Sequence, residues 1–147
     1  QFGERMIAEN SEFIAFCPFA PKYPFEMLIV PKGHRTAYVE ETRHTLEPLA
    51  EMLRDVMRRL DICLNHPPYN FTLHTIPVNV DPEPLYHWHL RILPRLTIAA
   101  GFEMGTGIYI NHVAPESAAQ FLRDVPKEEL GAGPKQAKPE ASKPVES

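Results

Sequence analysis

The sequence predicts an α+β fold: an antiparallel sheet of about five strands with one long packed helix, a short C-terminal helix and a disordered tail. Three observations carry this reading. Short β-prone runs bounded by turn-forming residues recur along the chain. One stretch, from Thr45 to about Asn65, places apolar residues at three- and four-residue spacing. Residues 126–147 contain four prolines and no aromatic residue, too little apolar surface to offset the entropy of ordering. The 147 residues suffice for one domain with a single core. That domain is expected over 1–125, with 126–147 as the tail.

"ERMIAEN" and "FIAFCPFAP" read as a hairpin, because Asn10 and Ser11 between them bond readily to their own backbone. "PFEMLIVPK", residues 24–32, is apolar between two prolines, as for a strand covered on both faces or by a helix, and His34 stands at its exit. In the long helix, Leu46, Leu49, Leu53, Val56, Met57, Leu60 and Leu64 face the sheet, and Glu47, Glu51, Arg54, Asp55, Arg58 and Arg59 fill the other side. Pro67 and Pro68 end it. "NFTLHTIPV" is the next strand, "NVDPEP" a loop and "LYHWHLRIL" a further strand. Alternation along that strand sends Tyr86, Trp88, Leu90 and Ile92 to the core and His87, His89 and Arg91 to the other face. "AGFEMGTGIYIN", with Gly101, Gly105 and Gly107, reads as a loop that lets backbone approach something closely. "PESAAQFLRDV" is a short helix with Pro115 in its first turn.

Composition narrows the function. A net charge of −4 without a basic block argues against a nucleic-acid partner. No apolar run approaches the roughly 20 residues of a membrane span, and no charged segment with a following apolar run stands at the chain's start, so a soluble, unsecreted protein is expected. Cys17 and Cys63 form neither a C-x-x-C pair nor a disulfide framework, so a reducing cytoplasm is the expected location. The chain begins at Gln1, so something is expected to precede it. What remains is the histidines. His87 and His89 lie on one strand face, roughly 7 Å apart by the strand rise. His74 lies on the preceding strand and His34 at the end of another, so three segments could bring imidazoles together. Zinc or iron suits imidazole, yet a structural zinc needs four ligands. A phosphoryl- or nucleotidyl-transfer nucleophile is the other chemistry, with His89 attacking phosphorus and Arg91 donating to the phosphate. Two strand histidines bonded only to backbone or water are the plain alternative.

The blocks "AFCPFAPKYPFEMLIVPKGH", "PPYNFTLHTIPVN", "YHWHLRILPRLT" and "AGFEMGTGIYINHVAPESAAQFLRDV" resemble the C-terminal half of galactose-1-phosphate uridylyltransferases and related hexose-1-phosphate nucleotidyltransferases, of the histidine-triad superfamily. The resemblance spans about residues 4–125 and implies a histidine-triad-like fold. It implies ping-pong transfer of UMP from UDP-glucose to a hexose 1-phosphate through a uridylyl-histidine. In that family the nucleophile sits in an H-P-H-x-Q motif of the N-terminal half. Here H-W-H-x-R stands instead, so His89 occupies the nucleophile-equivalent position of the repeat and Arg91 replaces the glutamine. The resemblance also implies a zinc site using His34 of "PKGH" and His87, with two upstream thiols. Its alternative is a site of zinc or iron on His74, His87 and His89 with a carboxylate from the other half. Phe102 and Glu103 correspond to residues reaching the hexose or its phosphate. The implied partners are sugar-phosphate and UDP-sugar substrates, the N-terminal half of the same enzyme, and a second copy in a homodimer.

Overall fold

The computed structural model describes residues 3–79, 85–98 and 100–131. Its strands are β1 (Met6–Glu9), β2 (Phe13–Phe16), β3 (Met27–Pro31), β4 (Tyr69–His74) and β5 (His89–Pro94). Its helices are α1 (Arg43–Leu64), α2 (Gly101–Thr106), α3 (Pro115–Arg123) and α4 (Lys127–Gly131). The strands form one antiparallel sheet in the order β1-β2-β3-β5-β4, with β1 and β4 at its edges. The Asn10 side chain closes the β1–β2 hairpin by accepting the Glu12 and Phe13 N–H groups at 3.1 and 2.8 Å. The predicted α+β architecture is therefore the observed one.

The strand period of two decides which side chains meet the helices. Phe13, Ala15, Met27, Ile29, Leu90 and Ile92 are buried on one face, against Leu49, Met52, Val56 and Leu60 of α1 and Ala118, Ala119 and Leu122 of α3. Trp88, fully buried, packs on Phe13 and Tyr38 with ring centroids 5.8 and 5.2 Å away. The opposite face carries Ile14, Leu28, Val30, His89, Arg91 and Leu93, all only partly buried. So β3 is covered by helices on one side alone. Arg59 links the helices: its Nη1 donates to the carbonyls of Leu122 and Arg123 at 2.9 and 3.2 Å, satisfying the end of α3.

Helix α1 begins where the Thr42 N–H donates to Thr45 Oγ1 at 3.0 Å. It ends with Asn65 and His66 in the left-handed region, at φ 54° and 58°, one residue ahead of the prolines that signalled its stop. Three local expectations need correction. The glycine-rich segment is not a plain loop. It forms α2, because the Glu103 side chain accepts the Ala100 N–H at 2.9 Å and Gly107 stops the helix in the left-handed region at φ 71°. Order continues beyond residue 125 into α4, whose acidic first turn suits a helix N-terminus and whose Glu129 carbonyl accepts Arg58 Nη2 at 2.7 Å. Residues 86–88 precede β5 rather than belonging to it. Residues 80–84 of the expected loop and 132–147 of the expected tail lie outside the described residues. No helix among those described is long and apolar enough to cross a membrane.

Candidate functional site

The histidines gather at the β4–β5 edge and the segment leading into it. In the ladder His74 lies opposite His89 and Thr72 opposite Arg91, so all four side chains share the face that carries no helix. The imidazoles of His74 and His89 stack, with centroids 4.6 Å apart and planes inclined by 9°. Imidazole lone pairs lie in the ring plane, so two rings stacked in parallel do not point at one common ion. His74 Nε2 lies 3.0 Å from Thr72 Oγ1. His89 Nδ1 lies 3.1 Å from the His87 carbonyl, which can only accept, so Nδ1 is the donor in this contact. Burial first, then the neighbouring His89 and Arg91, holds the His74 pKa below the ordinary range.

A second pair forms where the loop after β3 passes the entry to β5. The rings of His34 and His87 are 5.4 Å apart. Burial, then His34, lowers the His87 pKa, against a smaller upward pull from the carbonyls of Pro31 and Gly33. Its Nε2 is buried without a hydrogen-bond partner. A buried imidazole nitrogen without a hydrogen-bond partner, on a ring whose pKa is lowered, is a donor that a metal ion would satisfy. His34 is exposed beside it. Among the described residues no cluster of three or more His, Cys, Asp or Glu could hold a metal ion, and two imidazoles fall short of the four ligands a structural zinc needs. Cys17 is no candidate donor from within: it is buried, and desolvation pushes its thiol up to about 12.

Arg91 does not stand free over this face. Its Nε lies 3.0 Å from Glu26 Oε1, although the two atoms are not aligned as a hydrogen bond, so the contact is Coulombic rather than directional. Glu26, 1% exposed, also accepts the Lys22 and Tyr23 N–H groups at 2.8 and 3.4 Å through Oε2. Phe25 beside it has φ 60°, an uncommon conformation for a bulky residue. Nothing in the run "PFEMLIV" marked Glu26 as the partner of Arg91. A carboxylate inside an apolar strand entry was the one available signal. Phe102 and Glu103 sit on α2, Phe102 exposed and Glu103 half-buried as the cap of its own helix. Glu41, also absent from the sequence-based site, accepts from Trp88 Nε1 at 2.7 Å.

The family model described as galactose-1-phosphate uridyl transferase, C-terminal domain, matches residues 1–131. The chain is similar to ADP-glucose phosphorylase of Arabidopsis thaliana, 40% identical over 122 residues, covering 82% of this chain and 35% of that protein. A crystal structure of that phosphorylase with bound ADP-glucose superposes with a TM-score of 0.81 over 83% of this chain and 40% of the other. Galactose-1-phosphate uridylyltransferase of Thermotoga maritima is 31% identical over 129 residues, 82% of this chain and 41% of its own length. The chain thus spans about two-fifths or less of these relatives. A HIT-like protein of Bartonella henselae, at 19% identity and a TM-score of 0.60 over 81% of this chain and 84% of the other, shares the fold.

Proposed function

Because the chain belongs to the galactose-1-phosphate uridyl transferase C-terminal domain family, we propose that it is one half of a nucleotidyltransferase that moves a nucleoside monophosphate between sugar phosphates. The substrates are a hexose 1-phosphate and a nucleotide sugar, a uridine one such as UDP-glucose in keeping with the uridyl transferase family or ADP-glucose in keeping with the Arabidopsis relative. The nucleophilic histidine that carries the UMP or AMP belongs to a companion half, and this half contributes support and a substrate-binding edge. The observation that carries the reading is the Arg91–Glu26 pair: the group that would meet a phosphate beside His89 is already bound to a buried carboxylate.

Within this half, Glu103 and Phe102 on α2 serve the hexose, the carboxylate accepting from sugar hydroxyls. His34 and His87 hold a zinc ion, with iron the alternative metal, together with donors from outside the described residues. The ion would act as a structural cross-link between the loop after β3 and the entry to β5. Edge strand β4, with Tyr69, Phe71 and Leu73 exposed, is the face against which the companion half packs, and a homodimer completes the assembly.

One observation favours a second reading. His89 uses Nδ1 to donate to the His87 carbonyl, which leaves Nε2 as the nitrogen that a nucleophilic imidazole would present, so the chain could act alone as a histidine-triad hydrolase or transferase. Intact-mass spectrometry after incubation with UDP-glucose, and separately ADP-glucose, separates the two. The proposal expects no adduct on this chain and an adduct once the companion half is present. An adduct on this chain that disappears in His89→Asn would overturn the proposal in favour of the second reading.

A further inference from the structure

Glu41 follows the short 3-10 turn Tyr38–Glu40, and its side chain is 2% exposed. One oxygen, Oε1, accepts the Trp88 indole N–H at 2.7 Å, and the other, Oε2, accepts Arg35 Nη1 at 2.8 Å. Arg35 extends the chain of contacts through Nη2 to Glu12 Oε2 at 2.6 Å. The Trp88 backbone N–H donates to the Arg35 carbonyl at 3.0 Å. The ring of bonds is closed: Arg35 and Trp88 meet once through backbone and again through the same buried carboxylate. Arg35 is the residue after His34, and Trp88 the residue after His87.

A buried charged network is not needed to stabilise a core, since apolar residues of like volume often serve as well or better. What such a network can do is hold one arrangement among several. We infer that Glu41 is a positioning residue, which fixes the separation and tilt of the His34 and His87 rings by clamping the neighbour of each. Its consequence for metal affinity rests on the metal reading given above. The clamp itself concerns the metal-free chain. Glu41→Gln cannot accept from both donors through carboxylate oxygens. Arg35→Lys keeps the charge but loses the fork that reaches Glu12 and Glu41 together.

The test has two readouts on folded protein, with folding checked by the dispersion of amide resonances. Metal-free, the unaltered chain should give a nuclear Overhauser effect between the ring protons of His34 and His87, and both variants should lose it. With cobalt(II), and the companion half present to supply the remaining donors, affinity read from its visible absorption should fall about 10- to 100-fold in both, as for other outer-shell partners of metal-bound histidine. A purely structural Glu41 would lower the melting temperature and leave both readouts unchanged in the folded variant. That result overturns the inference, as does absence of the ring contact in the unaltered chain. If the unaltered chain shows the ring contact but binds no cobalt even with the companion half present, the metal reading fails alone, and the proton contacts in the variants still decide for or against Glu41.

Discussion

Replacing Glu26 by Gln removes the negative charge that Arg91 faces while leaving a side chain of the same shape. The Gln carbonyl can still accept the Lys22 N–H, so the turn ahead of β3 keeps its main hydrogen bond. Arg91 loses its partner. Breaking a fully buried pair costs about 3–5 kcal/mol, and an exposed one about 0.2–1 kcal/mol. Glu26 is buried but the Arg91 side chain is 31% exposed, and the contact is poorly aligned. The expected loss therefore lies between these limits, at about 2 kcal/mol. For a unit of this size that is a fall in melting temperature of roughly 6–8 °C. Urea unfolding followed by circular dichroism should show a lower midpoint at unchanged slope. A double-mutant cycle with Arg91→Gln should return a coupling of about 1–2 kcal/mol. A coupling below about 0.3 kcal/mol would refute the reasoning, because Arg91 would then be free to bind substrate phosphate without first leaving Glu26.

Two further predictions concern the core and the edge. Burial raises the Cys17 pKa from 9.0 to about 12, so the folded chain holds this proton where the unfolded chain releases it. Stability from this group is complete below pH 9 and declines as pH rises from 9 towards 12, by about 1.4 kcal/mol at pH 10. The difference in unfolding free energy between the chain and Cys17→Ala should shrink by about that amount between pH 8 and pH 10, and a constant difference would sink the idea. At the edge, Phe71 is 59% exposed on β4. Phe71→Lys should change stability by less than about 0.5 kcal/mol. In sedimentation velocity the unaltered chain should self-associate as its concentration rises, and the variant should not. A monomeric unaltered chain would show that β4 is not an adhesive edge.

Much of this was legible in the sequence because it depends on period and local chemistry. Leucines at three- and four-residue spacing gave α1, and the alternation of "YHWHLRI" separated Trp88, Leu90 and Ile92 from His87, His89 and Arg91 before any fold was known. Both are consequences of backbone geometry that a chain cannot avoid. The four blocks around those residues gave the family. Helix α2 escaped because glycines are poor helix formers, and what stabilises it is a single side chain capping its own first turn.

What only the tertiary structure decided is who faces whom. Glu26 and Arg91 are 65 positions apart and share a charge pair because β3 lies beside β5. His34 reaches His87 rather than His89 because the loop after β3 runs along the entry to β5, fastened there by Arg35, Glu41 and Trp88. His74 stacks on His89 because the β4–β5 register sets them opposite each other. Sequence alone assigns the strand histidines His74 and His89 to a face, since side-chain direction follows from their own strands. Pairing depends on the register and order of strands far apart in the chain, and those are fixed only when the shared core is packed.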